Sequence, residues 1–288
     1  MKLRKSKTTS SADAIMTNRQ KLLTSDSPFA IKESYVRLRT NLMFSIKRDK
    51  SGPCRVFAVT SANPGEGKSL TAANIAISFA MANKRTLLID CDMRKPMQRR
   101  LFQTNCRTGF GEFLARIGPC EVCMINDLPL SVISCGLIPA NPSELLVSDM
   151  MHLAVDVFAN HYDYVIIDTP PINTVADAQI IAPIVDGIVL VVKAGSTTTD
   201  DLRASVEQIE LAEGNLCGIV MNNSDTHSKR YSYRYKYGYK YGYKYGYKYG
   251  YKYGYRNSYK YGTDPNDAPA ETENKDGASS TKLEDLQA

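Results

Sequence analysis

The chain has 288 residues, 43% of them hydrophobic, which is enough for one sizeable core and by length fits one or two domains. Its formal net charge is +6, but ten positive charges (Lys229, Arg230, Arg234, Lys236, Lys240, Lys244, Lys248, Lys252, Arg256 and Lys260) stand together with no acid between Asp225 and Asp264, leaving −4 for the rest. The basicity therefore belongs to a tail, which excludes a basic folded domain built for specific nucleic-acid binding, and no run approaches the roughly 18 to 20 apolar residues of a membrane-spanning helix.

In chain order, residues 1–29 are polar, rich in Ser, Thr and Lys, and expected to be mobile. Their start, "MKLRKSKTTSSADAIM", has basic residues with no apolar run behind them and does not read as a secretory signal. Residues 30–46, "AIKESYVRLRTNLMFSI", place Ile31, Tyr35, Leu38 and Leu42 at helical spacing, which predicts an amphipathic helix. Short apolar runs follow: "RVFAVTS" (55–61), "RTLLID" (85–90), "LSVISCG" (130–136), "YVIID" (164–168), "GIVLVV" (187–192) and "LCGIVM" (216–221). Strands of this kind alternating with helix-length segments predict an α/β fold with a mostly parallel sheet covered on both faces. One helix start is well marked in "NPSELL", where Asn141 can cap, Pro142 fits the first position and Glu144 the third. The apolar periodicity ends after Asp225, so residues 30–225 make the folded domain and 226–288 a disordered tail.

Seven cysteines, an odd number at core-like positions, predict reduced thiols in a cytoplasm. Cys120 and Cys123 form one C-x-x-C, but a zinc site needs about four ligands and no second pair exists.

Chemistry enters with "VTSANPGEGKSLTAANIAISFA". A strand runs through Ala62, Asn63, Pro64, Gly65, Glu66, Gly67, Lys68 and Ser69 into a helix that continues with Leu70, the context of a phosphate-binding P-loop. Gly65 and Gly67 let backbone N–H groups approach phosphate oxygens, and the positive helix end adds to them. Lys68 would reach the β- and γ-phosphates of ATP, and the Ser69 hydroxyl would ligate Mg²⁺. Ala62 stands where the usual first glycine belongs.

"TLLIDCDMRKP" sets Asp90 and Asp92 at the carboxyl end of one strand, and "YVIIDTPP" sets Asp168 at the end of another, where open parallel sheets bind ligands. Among three such carboxylates one can hold Mg²⁺ through water while another takes a proton from an attacking hydroxyl. The plain alternative for any one Asp is a turn or a helix cap.

The motifs "ANPGEGKS", "LLIDCDMRKP", "VIIDTPP" and "NPSELLVSDMM", together with the tyrosine-rich end, resemble the bacterial tyrosine kinases of capsule and exopolysaccharide systems over roughly residues 30–222 plus the tail. The resemblance implies a P-loop NTPase fold, a cytoplasmic enzyme that uses ATP and Mg²⁺ to phosphorylate tyrosines of its own tail and its neighbours', and control of polysaccharide synthesis and export. It implies Asp90 as base, Asp92 and Asp168 with Ser69 at the metal, residues 64–70 around the phosphates, and Asn222 near the adenine. Implied partners are the cytoplasmic segment of a membrane-bound activator, which would hold the chain at the inner face of the plasma membrane, a tyrosine phosphatase, and further copies of the chain in a ring. The family's ring motif E-x-x-R-x-x-R keeps Glu33 and Arg39, but Val36 replaces its first arginine and Arg37 comes one position late, about 100° around the helix.

The tail then reads as the acceptor. Residues 231–262 repeat with period four and carry fifteen tyrosines (Tyr231, Tyr233, Tyr235, Tyr237, Tyr239, Tyr241, Tyr243, Tyr245, Tyr247, Tyr249, Tyr251, Tyr253, Tyr255, Tyr259 and Tyr261), with no Phe or Trp. Base stacking would accept any aromatic ring; only the hydroxyl is common to all fifteen. Each phosphate adds about −1.5 to −2 charges, so about six would cancel the ten local cations. Two competitors stand beside this reading: a ParA- or MinD-like positioning ATPase, which would carry lysine at Asn63 and lack the tyrosines, and a nucleotide-dependent RNA- or membrane-binding module using the basic tail.

Overall fold

The computed structural model describes residues 16–46, 54–125, 127–224 and 280–282. Its centre is a sheet of strands in the order β7-β6-β1-β5-β2-β4-β3-β8. These are β1 (Arg55–Ser61), β2 (Thr86–Asp90), β3 (Glu121–Ile125), β4 (Leu130–Ile133), β5 (Tyr164–Asp168), β6 (Gly187–Lys193), β7 (Leu216–Asn222) and β8 (Ser280–Lys282). From β7 to β4 every pairing is parallel, and β3 is antiparallel to both β4 and β8. The six expected strands are all present, in the fold expected.

Burial on both faces explains why the central strands read as continuous apolar runs. Val56, Ala58, Leu87, Ile89, Val165 and Ile167 face one core with Phe110 and Phe158, while Phe57, Val59, Leu88 and Ile166 face the other. The alternation follows the two-residue period of a pleated strand. The second core is closed by α2 (Lys68–Met81), whose Ala72, Ala73, Ala76 and Ala80 bring its backbone close to the sheet. Phe79 on α2 stacks on Tyr164 with ring centroids 3.8 Å apart.

The amino-terminal helix α1 (Phe29–Ser45) packs through Tyr35, Leu38 and Leu42, as its spacing predicts, whereas Ile31 is left 44% exposed. Arg39 donates to the carbonyl and hydroxyl oxygens of Ser78 on α2, so this member of the expected ring motif is used within its own domain. Glu33 and Arg37 lie exposed.

Five features differ from the sequence expectations. First, residues 16–29 belong to the segment expected to be mobile, yet they pack against α2. Buried Asn74 accepts from Leu23 N at 2.8 Å and donates to Lys21 O at 3.1 Å, and Leu23 itself is buried. A side-chain amide offers the strap one acceptor and one donor, the same pair a neighbouring strand would offer. Second, β3 is an additional strand, short and only partly buried, so its periodicity was too weak to show. Third, the cysteines are not all reduced: Cys123 is joined in a disulfide to Cys106, with Cα atoms 6.3 Å apart, while Cys54, Cys91, Cys120, Cys135 and Cys217 are free. Fourth, in α5 (Pro142–Val147), which follows α3 (Gln98–Phe102) and α4 (Phe110–Leu114), the Asn141 side chain donates to the Glu144 carboxylate rather than capping a backbone N–H. Beyond it, α6 (Asp149–His161), α7 (Asp177–Ile181) and α8 (Thr199–Leu211) complete the cover. Fifth, Ser280–Lys282, three residues of the segment expected to be disordered, form β8 against the β3 edge; the tyrosine cluster of residues 231–262 lies outside the described residues.

Replacing Asn74 by Ala removes both strap contacts and is expected to lower stability by about 1–3 kcal/mol and to open a new tryptic cut at Lys21. Urea unfolding and limited proteolysis check this; wild-type values in both would show that Asn74 does not hold the strap.

Candidate active site

The P-loop is shaped by its glycines and by three side chains. Gly65 and Gly67 have φ of 82° and 91°, a region that costs an L-residue energy. A Cβ on Gly67 would lie 2.2 Å from Asn222 Nδ2, which donates to Glu66 O at 2.9 Å. Buried Glu66 accepts from Asn63 N at 2.9 Å and from the Thr197 hydroxyl, fastening the loop to the segment after β6.

Strand register then gathers the acids. Asp90 at the end of β2 pairs directly with Asp168 at the end of β5. Lys68, the first residue of α2, extends over them: its Nζ lies 2.6 Å from Asp92 Oδ2, 3.4 Å from Asp168 Oδ1 and 3.1 Å from Ser69 Oγ. Burial alone would lower the Lys68 ammonium's pKa, but the charges of Asp168 and Asp92 outweigh it and the pKa is raised. Burial pushes the Asp168 carboxyl up despite Lys68. Burial, then the charge of Asp168, pushes the Asp90 carboxyl up to about 8.

Each acid also has a local role, as the plain alternative suggests. Asp90 Oδ2 accepts from Met97 N at 2.9 Å and Gln98 N at 2.8 Å, at the start of α3. Asp92 Oδ1 accepts from Lys95 N at 3.0 Å. Asp90 Oδ1 is buried with no hydrogen-bond partner among the described residues.

A cleft of about 520 Å³ opens above this group, lined by Pro64, Gly65, Glu66, Gly67, Lys68, Ser69, Leu70, Asp92 and Asn222 among others. Every expected nucleotide contact therefore borders one cavity. Asp90 and Asp168 do not line it; both are fully buried. Among the described residues no three His, Cys, Asp or Glu are grouped as a metal cage. Mg²⁺ needs none: it is held through hard oxygens, with one or two carboxylates, substrate phosphates and water. The Ser69 hydroxyl and the carboxylates of Asp92 and Asp168 fit that mode.

Two residues escaped the sequence reading. Gln98 donates to Asp168 Oδ2 at 2.8 Å and to Ser69 O at 3.0 Å. Arg94 grips buried Asp177 through Nε at 3.1 Å and reaches Ser143 Oγ at 3.0 Å, joining the loop after β2 to α5 and α7. Both stand in or just after the "DCDMRKP" stretch, but neither contact has a local pattern.

The family model described as ParA, NUBPL iron-transfer P-loop NTPase, matches residues 54–253. Tyrosine-protein kinase YwqD of Bacillus subtilis is 42% identical over 194 residues, covering 66% of this chain and 80% of that protein. The chain belongs to the ParA-type P-loop NTPases, and within them to the bacterial tyrosine kinases. Tyrosine-protein kinase CpsD of Streptococcus agalactiae is 37% identical, covering 66% of this chain and 82% of its own. The solved chimerical protein CapA2B2 is 34% identical with a TM-score of 0.66, covering 71% of this chain and 90% of its own. The kinase domain of Escherichia coli tyrosine kinase ETK is 28% identical with a TM-score of 0.61, covering 78% and 83%. A plasmid partition protein from Borrelia burgdorferi, 19% identical with a TM-score of 0.50, shares the fold alone.

Gly67→Ala forces both the clash with Asn222 and an unfavourable φ, and is expected to weaken nucleotide binding at least about tenfold, or 1.4 kcal/mol. Titration with a fluorescent ADP analogue checks it; affinity equal to wild type would contradict this geometry.

Proposed function

We propose that this kinase uses Mg-ATP to phosphorylate the tyrosines of residues 231–262 in its own chain and, in trans, in neighbouring copies, and that this regulates capsular or extracellular polysaccharide synthesis and export. The observation that carries the reading is the meeting of Lys68, Asp92 and Asp168 beside a P-loop cleft, in a chain that also carries fifteen clustered tyrosines. Family membership supports the reaction class.

In the proposed reaction the tyrosine Oη forms a bond to the γ-phosphorus as the bond to the ADP oxygen breaks. Catalysis here is mostly positioning and charge stabilisation. The P-loop backbone and Lys68 hold the phosphates, and Ser69, Asp92 and Asp168 hold Mg²⁺, which when bound supplies neutralisation of phosphate charge. The phenol, with an ordinary pKa near 10, gives its proton to a carboxylate. We assign that role to Asp90, because among the described residues its Oδ1 is the one carboxylate oxygen of the three acids with no hydrogen-bond or ion-pair partner; since Asp90 is fully buried and outside the cleft lining, the role requires the entering phenol to open the site to it. Asn222, which lines the cleft, is assigned to the base of the nucleotide.

Activation by the cytoplasmic segment of a membrane-bound partner, which would place the chain at the inner face of the plasma membrane, and reversal by a tyrosine phosphatase complete the proposal. No helix among the described residues is long and apolar enough to cross a membrane. Glu33 and Arg37, exposed on α1, and Arg39, which bonds Ser78 of its own chain, are candidates for contacts between copies in a ring.

Incubation with Mg-ATP and the partner's cytoplasmic segment, followed by intact-mass measurement, should show successive phosphate additions confined to residues 231–262 and absent in Lys68→Met. ATP hydrolysis with every tyrosine unmodified would replace this reading with a positioning ATPase.

A further inference from the structure

Gln98, like Lys68, hydrogen-bonds to all three motif segments of the site. Its backbone N–H donates to Asp90 Oδ2 at 2.8 Å, and its side-chain Nε2 donates to Asp168 Oδ2 at 2.8 Å and to the carbonyl of Ser69 at 3.0 Å. It is fully buried. Chemistry fixes the amide's orientation: a carboxylate oxygen and a backbone carbonyl only accept, so the nitrogen must face both. Gln98 Oε1 is consequently buried with no hydrogen-bond partner among the described residues. A polar atom left so is normally disfavoured; here it accompanies two well-formed bonds at the nitrogen.

Asp168 ends a strand and could turn about its side-chain torsions. Gln98 removes that freedom by holding Oδ2, which leaves Oδ1 toward Lys68 Nζ, itself 3.1 Å from Ser69 Oγ. The same amide holds the first turn of α2 through the Ser69 carbonyl, so the hydroxyl and the carboxylate assigned to the metal are referenced to one group.

We propose that Gln98 is a positioning residue for this kinase, setting the Asp168 carboxylate and Ser69 in the arrangement that binds Mg²⁺ with the nucleotide. It acts through Asp168 and Ser69 and does not itself touch substrate. The inference rests on the assignment of Asp168 and Ser69 to Mg²⁺ in the proposed function. Groups that orient metal ligands in this way typically matter 10–100-fold for metal affinity.

The test uses the full chain, with Gln98→Leu and Gln98→Glu as variants of similar length. Neither alters the backbone bond to Asp90. Binding of a fluorescent ATP analogue is measured in EDTA and against rising Mg²⁺, with thermal unfolding alongside. The expected result is unchanged affinity in EDTA and a Mg²⁺ midpoint raised about tenfold in Gln98→Leu and further in Gln98→Glu, which places a carboxylate against Asp168. A wild-type Mg²⁺ midpoint in a folded variant, or equal loss of affinity with and without Mg²⁺, would overturn the proposal. Should the Leu variant fail to fold, the Glu variant decides on the same criteria. If the unaltered chain shows no effect of Mg²⁺ at all, the metal assignment itself falls and this inference with it.

Discussion

The direct pairing of Asp90 with Asp168 across β2 and β5 is the constraint from which the site follows. Two buried carboxylates side by side repel, and neither has bulk water to screen it. Lys68 answers that excess from above, held by Asp92 and Asp168, while the backbone N–H groups of Met97 and Gln98 answer it from the side. With three acids and one ammonium the cluster still favours further positive charge, which suits a cation arriving with a triphosphate. The parallel sheet supplies the rigidity: β1, β2 and β5 are buried on both faces, so their carboxyl ends stay in register while the connecting loops carry the chemistry.

Much of this was legible because it is local. The P-loop is a run of eight residues between a strand and a helix, and both its glycines take the left-handed backbone that motivated reading them as turn-makers. Asp90 and Asp168 stood out as acids closing apolar runs, and the strands that carry them lie where those runs predicted. The helical stripe Tyr35, Leu38 and Leu42 packs as its spacing implies, but Ile31 shows that periodicity alone does not say where a neighbouring element stops.

What was not legible depends on partners far along the chain. Gln98 meets Asp168 across 70 residues, and Asn74 meets Lys21 across 53; no spacing rule announces either. The strap of residues 16–29 looked solvated because its composition is polar, yet one buried leucine and one amide clip hold it on α2. Cys120 and Cys123 invited a C-x-x-C reading by proximity in sequence, whereas Cys123 is joined to Cys106 and Cys120 is a free, buried thiol whose pKa burial pushes up to about 12. β8 pairs with β3 through backbone geometry that a polar three-residue segment does not advertise.

In the proposed function the buried charge cluster is the seat of the nucleotide's phosphates. The most direct measurement is a crystal structure of the full chain with Mg²⁺ and a non-hydrolysable ATP analogue. Lys68 Nζ should then lie on phosphate oxygens instead of on Asp92 Oδ2, with the metal between those phosphates and the oxygens of Ser69, Asp92 and Asp168. A nucleotide bound in the cleft with the 2.6 Å Lys68–Asp92 contact intact and no metal at these oxygens would contradict it.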